Sequence, residues 1–70
     1  MNKRTETRIK KMLRNGYELD HVRTLGIGYG NATEYSAVFE DANSWAFVRL
    51  SGFRDLDELQ KIVGRGFAIM

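Results

Sequence analysis

The sequence predicts an α+β domain in the element order α-β-β-β-α, with a fourth, C-terminal strand left open. Three observations predict it: an apolar helical stripe near each end, a period of two in the middle, and glycines where the period changes. Seventy residues suffice for one core, so we expect a single domain over residues 1–70. Cysteine is absent, so packing or oligomerisation must supply the stability that disulfides give many small proteins.

The first helix is predicted over residues 5–15. Ile9, Met12 and Leu13 fall at the i, i+3, i+4 spacing of one helical face, and Gly16 then provides a left-handed position that ends the helix. Glu6 and Lys10 are spaced to pair at i, i+4. The opposite side of this helix is basic.

The middle of the chain predicts three antiparallel strands. The first covers residues 23–29 and places Leu25, Ile27 and Tyr29 on one face, with Gly26 and Gly28 on the other. The second and third cover residues 34–40 and 45–50, and loops at 30–32 and 41–44 join the three strands. Residues 17–21 either extend the first strand or form a turn.

The second helix is predicted to begin at Asp55, with Glu58 completing a capping-box-like start. Its apolar stripe ends at Gly64 and consists of Leu56, Leu59, Ile62 and Val63. Residues 66–70 are apolar, so we expect them to add a strand or to pack across the core. Two helices on one face of the sheet would bury both stripes.

Charge is segregated along the chain. Residues 1–16 carry six basic side chains and one acidic side chain, a net charge of +5, whereas the other residues carry five basic and eight acidic ones. The basic set is predicted to bind nucleic acid or an acidic partner, although such a run is also typical of a solvated helix face. Its members are Lys3, Arg4, Arg8, Lys10, Lys11 and Arg14.

The sequence contains no pattern typical of a catalytic, cofactor or metal site. His21 is the only histidine, and no cysteine accompanies it. The carboxylates around residues 40–41 and 55–58 are explained by a turn and a helix start. The glycines at 26, 28 and 30 have GxGxG spacing and precede a strand, whereas phosphate-binding loops precede a helix. We therefore predict no enzyme, no catalytic residue, no cofactor and no metal.

Three aromatic residues near the loops are candidate protein-binding residues, because Tyr and Trp often anchor interfaces: Tyr29, Tyr35 and Trp45. The alternative for each is that it fills the core. Gly26 and Gly28 leave a bare strand face, for which we favour covering by cross-strand aromatics over the approach of another chain.

Three functional hypotheses follow. The first is a small non-enzymatic protein that docks on a larger macromolecular partner, such as a protein that handles nucleic acid, as an inhibitor, adaptor or small subunit. The second is direct, weakly specific nucleic-acid binding through the basic helix. The third is a homo-oligomeric module, for example a homodimer, with the first strand or residues 66–70 at the seam. A membrane-spanning stretch of about 20 apolar residues is absent from the sequence, so we expect no membrane partner and, by default, a cytoplasmic location.

Overall fold

A computed structural model of the chain describes the backbone of residues 1–70 and the side chains of all of them except Tyr29. The described residues confirm the predicted order α-β-β-β-α. The elements are helix α1 (Lys3–Arg14), strand β1 (Glu18–Ile27), a 3₁₀ turn (Tyr29–Asn31), strands β2 (Thr33–Glu40) and β3 (Trp45–Ser51), and helix α2 (Gly52–Val63).

The strands form an antiparallel meander with the spatial order β1-β2-β3. The segment after α2 extends the sheet beyond β1 and runs parallel to it. Val22 N–H donates to the carbonyl of Ala68 at 2.9 Å, and Thr24 N–H donates to that of Met70 at 2.8 Å. The fourth strand left open by the sequence is therefore a short pairing at the β1 edge.

Both helices pack on the same face of the sheet, and the core lies between them and the strands. Ile9 of α1 and Leu59 of α2 are fully buried in one cluster with the inward residues of all three strands. The other members of this cluster are Leu19, Val22, Tyr35, Ala37, Phe39, Val48, Leu50 and Leu56. Among the described residues, neither helix is long and apolar enough to span a membrane.

The predicted alternation in β1 is wrong at its C-terminal end, because an irregularity between Thr24 and Gly26 interrupts the pairing with β2. Another irregularity lies between Leu19 and His21, near the start of the strand. A bulge adds an unpaired residue and shifts the side chains that follow it to the other face. Leu25 lies in the irregularity between Thr24 and Gly26, and the backbone of Gly26 has a φ of 121°. Residues 18–21, which the sequence left open, belong to β1.

The bare glycine face is covered differently from the prediction. The Glu34 side chain, not an aromatic ring, lies against Gly28, where an added Cβ would be 2.5 Å from Glu34 Oε1. A polar neighbour on the adjacent strand thus fills the space at Gly28, whereas no described atom lies within 4 Å of a Cβ added at Gly26, so that position stays open.

The helix starts also differ from the prediction. Helix α1 begins at Lys3, because Asn2 caps it by accepting the N–H of Thr5 at 2.8 Å. Helix α2 follows β3 directly through Gly52, whose φ is 76°. Asp55 is therefore in the first turn of α2 rather than before it, and its Oδ2 accepts the N–H of Ser51 at 2.8 Å. The predicted end of α2 at Gly64 is confirmed by a left-handed C-cap.

Candidate binding surfaces

The first candidate surface is the basic face of α1. Ile9 is buried and Met12 and Leu13 are half-buried, so the apolar stripe faces the core as predicted. All six predicted basic residues are exposed on the rest of the helix: Lys3, Arg4, Arg8, Lys10, Lys11 and Arg14. The structure therefore brings together on one helix the cations that the sequence grouped.

One of these cations is engaged within the helix. Lys10 Nζ lies 2.9 Å from Glu6 Oε1, which confirms the predicted i, i+4 pair. The hydrogen bond and the charge of Lys10 lower the pKa of Glu6, so this carboxylate remains ionised at neutral pH. Arg4, Arg8 and Lys11 occupy a neighbouring stripe at spacings of four and three, and this stripe is the part of the face best placed for an anionic partner.

The second candidate surface is the face of the sheet opposite the helices, here called the outer face. It is a shallow depression lined by residues of all three strands: Arg23, Leu25, Ser36, Val38, Trp45, Phe47 and Arg49. Trp45 and Phe47 alternate with inward residues on β3, and their rings stack with centroids 6.0 Å apart. Trp45 is 67% exposed and Phe47 50% exposed, so the structure leaves two large rings in solvent.

Cross-strand register places two arginines in one row beside the rings. Arg23 of β1 pairs with Ser36 of β2, and Ser36 pairs with Arg49 of β3. Two strand spacings separate the arginine backbones, which is about 10 Å. Among the described side chains, neither arginine lies within salt-bridge distance of a carboxylate. Both guanidinium groups are therefore available to a partner.

Acidic residues frame the outer face. Glu18 and Glu40 lie in register with Trp45 at one end, and Glu34 lies near the other end against Gly28. Arginines beside the rings and carboxylates at both ends form a mixed charge pattern, unlike the uniformly positive groove that follows a phosphate backbone. The outer face is thus an aromatic and apolar centre with a charged rim.

The three aromatic candidates from the sequence have different positions. Trp45 lies on the outer face, as required of a binding residue. Tyr35 is only 5% exposed and packs in the core, so it is not part of a binding surface here; the alternative, that it fills the core, describes it correctly. Tyr29 lies outside the described side chains.

Sequence reasoning missed Phe47, Arg23 and Arg49 as members of this surface. Strand β3 alternates Ala46, Val48 and Leu50 with Trp45, Phe47 and Arg49. Because both sets contain large apolar residues, the alternation alone does not indicate which set faces the core. The available signal was Arg49, since an unpaired charge is rarely buried. Residues two apart on a strand share a face, so Trp45 and Phe47 lie on the same solvent-facing side as Arg49.

The polar clusters that could suggest catalysis have structural partners. His21 Nδ1 lies 2.7 Å from Asp20 Oδ2 in an exposed pair. Asp55 binds the α2 start, and the α-ammonium of Met1 lies 2.7 Å from its carboxylate. Asp41 accepts the N–H groups of Asn43 and Ser44, each at 2.8 Å. Among the described residues, no group of three or more potential ligands could hold a metal ion.

Comparison of the chain with protein-family models, curated proteins and solved structures finds no match.

Proposed function

We propose that this chain is a non-enzymatic docking module that binds a larger protein partner through the outer face of its sheet. The observation that carries the proposal is the exposed Trp45–Phe47 stack beside the two arginines. Trp and Arg are among the residue types that dominate binding energy at protein interfaces, and such residues cluster near the centre of the contact. Aromatic residues in general, including Phe, are enriched at interfaces. The rim of carboxylates supplies the polar border that such interfaces have.

The chemistry of the outer face defines the partner surface. The rings, together with Leu25 and Val38, require an apolar contact. Arg23 and Arg49 require carboxylates spaced about 10 Å apart, because a guanidinium binds a carboxylate through two parallel hydrogen bonds. The partner is therefore a protein surface with an apolar centre flanked by Asp or Glu.

Site-specific photo-crosslinking in cells that contain the natural partner tests this proposal. A benzophenone amino acid replaces Phe47 on the outer face or, as a control, Phe53, which is 75% exposed on α2. We expect position 47 to capture one protein species in a nuclease-insensitive product, and position 53 to capture none of it. The same amino acid can also replace Lys11 on α1. Capture of the protein species from position 11, and not from position 47, would contradict the proposal.

Affinity for the captured protein then provides the quantitative test. Trp45→Ala and Arg49→Glu are expected to weaken binding about 30-fold or more, because hot-spot truncations cost about 2 kcal/mol or more. Phe53→Ala should weaken it less than about twofold. Equal affinities for all variants would mean that the partner binds elsewhere.

A second proposal is direct nucleic-acid binding through α1, which the exposure of all six basic side chains favours. Fluorescence anisotropy with labelled single-stranded and duplex DNA, from low to moderate salt, tests it. The triple variant Arg4→Gln, Arg8→Gln, Lys11→Gln is expected to weaken binding. The slope of log binding constant against log salt concentration should become less steep by about two to three units, because three cations are lost. Trp45→Ala is the control and should bind as wild type does. Absence of binding by the wild-type chain at low salt would exclude this proposal.

A further inference from the structure

The outer edge of β3 is an unsatisfied sheet edge. Within the described chain, β3 pairs with β2 alone, whereas β1 is flanked by β2 on one side and by residues 68–70 on the other. An open edge offers unpaired N–H and C=O groups to another strand. Proteins often complete such an edge by adding a strand from a second chain.

The free backbone groups of this edge can be identified. Asp41 N–H donates to the carbonyl of Ser44 at 2.9 Å, which sets the alternation of the β2–β3 ladder. Counting from this pair through the register, Ala46, Val48 and Leu50 bond towards β2. The remaining residues of β3 direct their N–H and C=O groups away from β2: Trp45, Phe47, Arg49 and Ser51.

Ser51 is already engaged, because its N–H donates to Asp55 Oδ2 at 2.8 Å. The groups left for a new strand are therefore those of Trp45, Phe47 and Arg49. These three residues are symmetric about Phe47.

We propose that two copies of this chain associate through antiparallel β3 edges, with the two-fold axis at Phe47. In this register Phe47 faces Phe47 of the second copy, and Trp45 faces Arg49 of the second copy. Every free group of the edge is then paired, which gives about six backbone hydrogen bonds. The occupant of the edge is a second copy because the edge is complementary to itself.

Side-chain chemistry favours the same register. Each Arg49 meets the indole of Trp45 in the other copy, a cation–π pair that occurs twice by symmetry. The two Arg49 side chains stay about 13 Å apart along the strands. A register centred on Arg49 would instead set the two cations opposite each other, and cross-strand pairs of like charge are destabilising. A register centred on Val48 would set Trp45 opposite Ser51, whose amide Asp55 already holds, and would lose those backbone hydrogen bonds.

The association goes beyond the proposed docking function and does not depend on it, since it uses the backbone of one edge rather than a partner protein. It would join two sheets into one of six strands and place both outer faces side by side. A partner would then meet an aromatic surface of twice the area.

Disulfide trapping tests the register directly, because the chain contains no cysteine. A single introduced cysteine can then form a disulfide only with the same position of the second copy. In the proposed dimer the Cα atoms at position 47 are about 5.5 Å apart, within the range that a disulfide spans. We expect Phe47→Cys to form covalent dimers under mild oxidation at least about tenfold faster than Arg49→Cys or Trp45→Cys. Equal rates at the three positions would overturn the register.

Sedimentation velocity of the unmodified chain tests the association itself. We expect the mass to rise from that of the 8.1 kDa chain towards twice that value as concentration increases. Phe47→Lys places two like charges at the axis and should abolish the rise, with circular dichroism confirming the fold. Leu25→Lys, a similarly exposed change on β1, should leave the rise unchanged. A monomer at every concentration would overturn the proposal and leave partner docking by a single outer face untouched.

Discussion

Trp45 and Phe47 stack on the outer face with their ring planes 24° from parallel, two residues apart on the same strand. Each ring shields part of the other while both remain largely exposed. The pair stabilises a flat apolar platform without help from the core. Its residues should therefore matter more for association than for folding.

Truncation of this platform is expected to cost little stability. Trp45→Ala loses the ring–ring contact and little buried area, so the free energy of unfolding should fall by about 0.5–1.5 kcal/mol. Phe39→Ala, at a fully buried ring of β2, should lower it by about 3–5 kcal/mol. Urea unfolding of both variants measures the difference. Similar losses would mean that Trp45 packs more tightly than its exposure indicates.

Amide hydrogen exchange should alternate along β3. The amides of Val48 and Leu50 bond to β2 and should exchange slowly, whereas those of Phe47 and Arg49 face the open edge and should exchange fast in dilute solution. On the far side of the sheet, Val22 should be protected by the carbonyl of Ala68. NMR exchange rates check the pattern, and uniform protection along β3 in dilute solution would contradict the assigned ladder.

The β2–β3 turn should weaken in acid. The N–H groups of Asn43 and Ser44 lower the pKa of Asp41 below its usual value. A carboxyl whose pKa is lower in the folded state stabilises fully above its unfolded pKa and loses this contribution as pH falls through the folded pKa. We therefore expect Asp41→Asn to reduce the loss of stability below about pH 4, measured by urea unfolding from pH 6 to pH 2. An unchanged profile would place the acid sensitivity elsewhere.

The end of α2 depends on a left-handed glycine. Gly64 has a φ of 75°, and no described atom lies within 4 Å of an added Cβ, so the conformation alone penalises a side chain there. Gly64→Ala is expected to lower the free energy of unfolding by about 1–2 kcal/mol. Gly66→Ala is the matched control, because Gly66 is equally open and is not in the left-handed region; it should change stability by less than about 0.5 kcal/mol. Equal effects would contradict the capping role of Gly64.

The element order could be predicted because helical and strand periods are local properties of the sequence. The stripe of Ile9, Met12 and Leu13 identified α1 and its buried face, and the alternation of Tyr35, Ala37 and Phe39 identified the inward side of β2. The start of α2 was misplaced because the chain enters this helix directly from β3, and Asp55 binds back to Ser51 from the first turn.

The outer face was harder to predict because it depends on register between strands. The β1 bulge at Leu25 and the pairing of Arg23 with Ser36 arise from long-range hydrogen bonds that no local pattern specifies. The same holds for the C-terminal segment, whose apolar composition indicated packing but not its parallel pairing with β1.

The three strands lie in the sheet in the same order as in the sequence, and this arrangement has a consequence for folding kinetics. Each hairpin joins neighbours in sequence across a short connection, so the sheet can assemble with little loss of loop entropy. The distant contacts are those that bring α1 and residues 68–70 onto the sheet: Ile9 joins the core cluster, and Ile69 lies beside Val22. The hairpins are thus expected to form early, and the docking of the two chain ends to complete the transition late, as φ-values near zero at Ile9 and Ile69 would record.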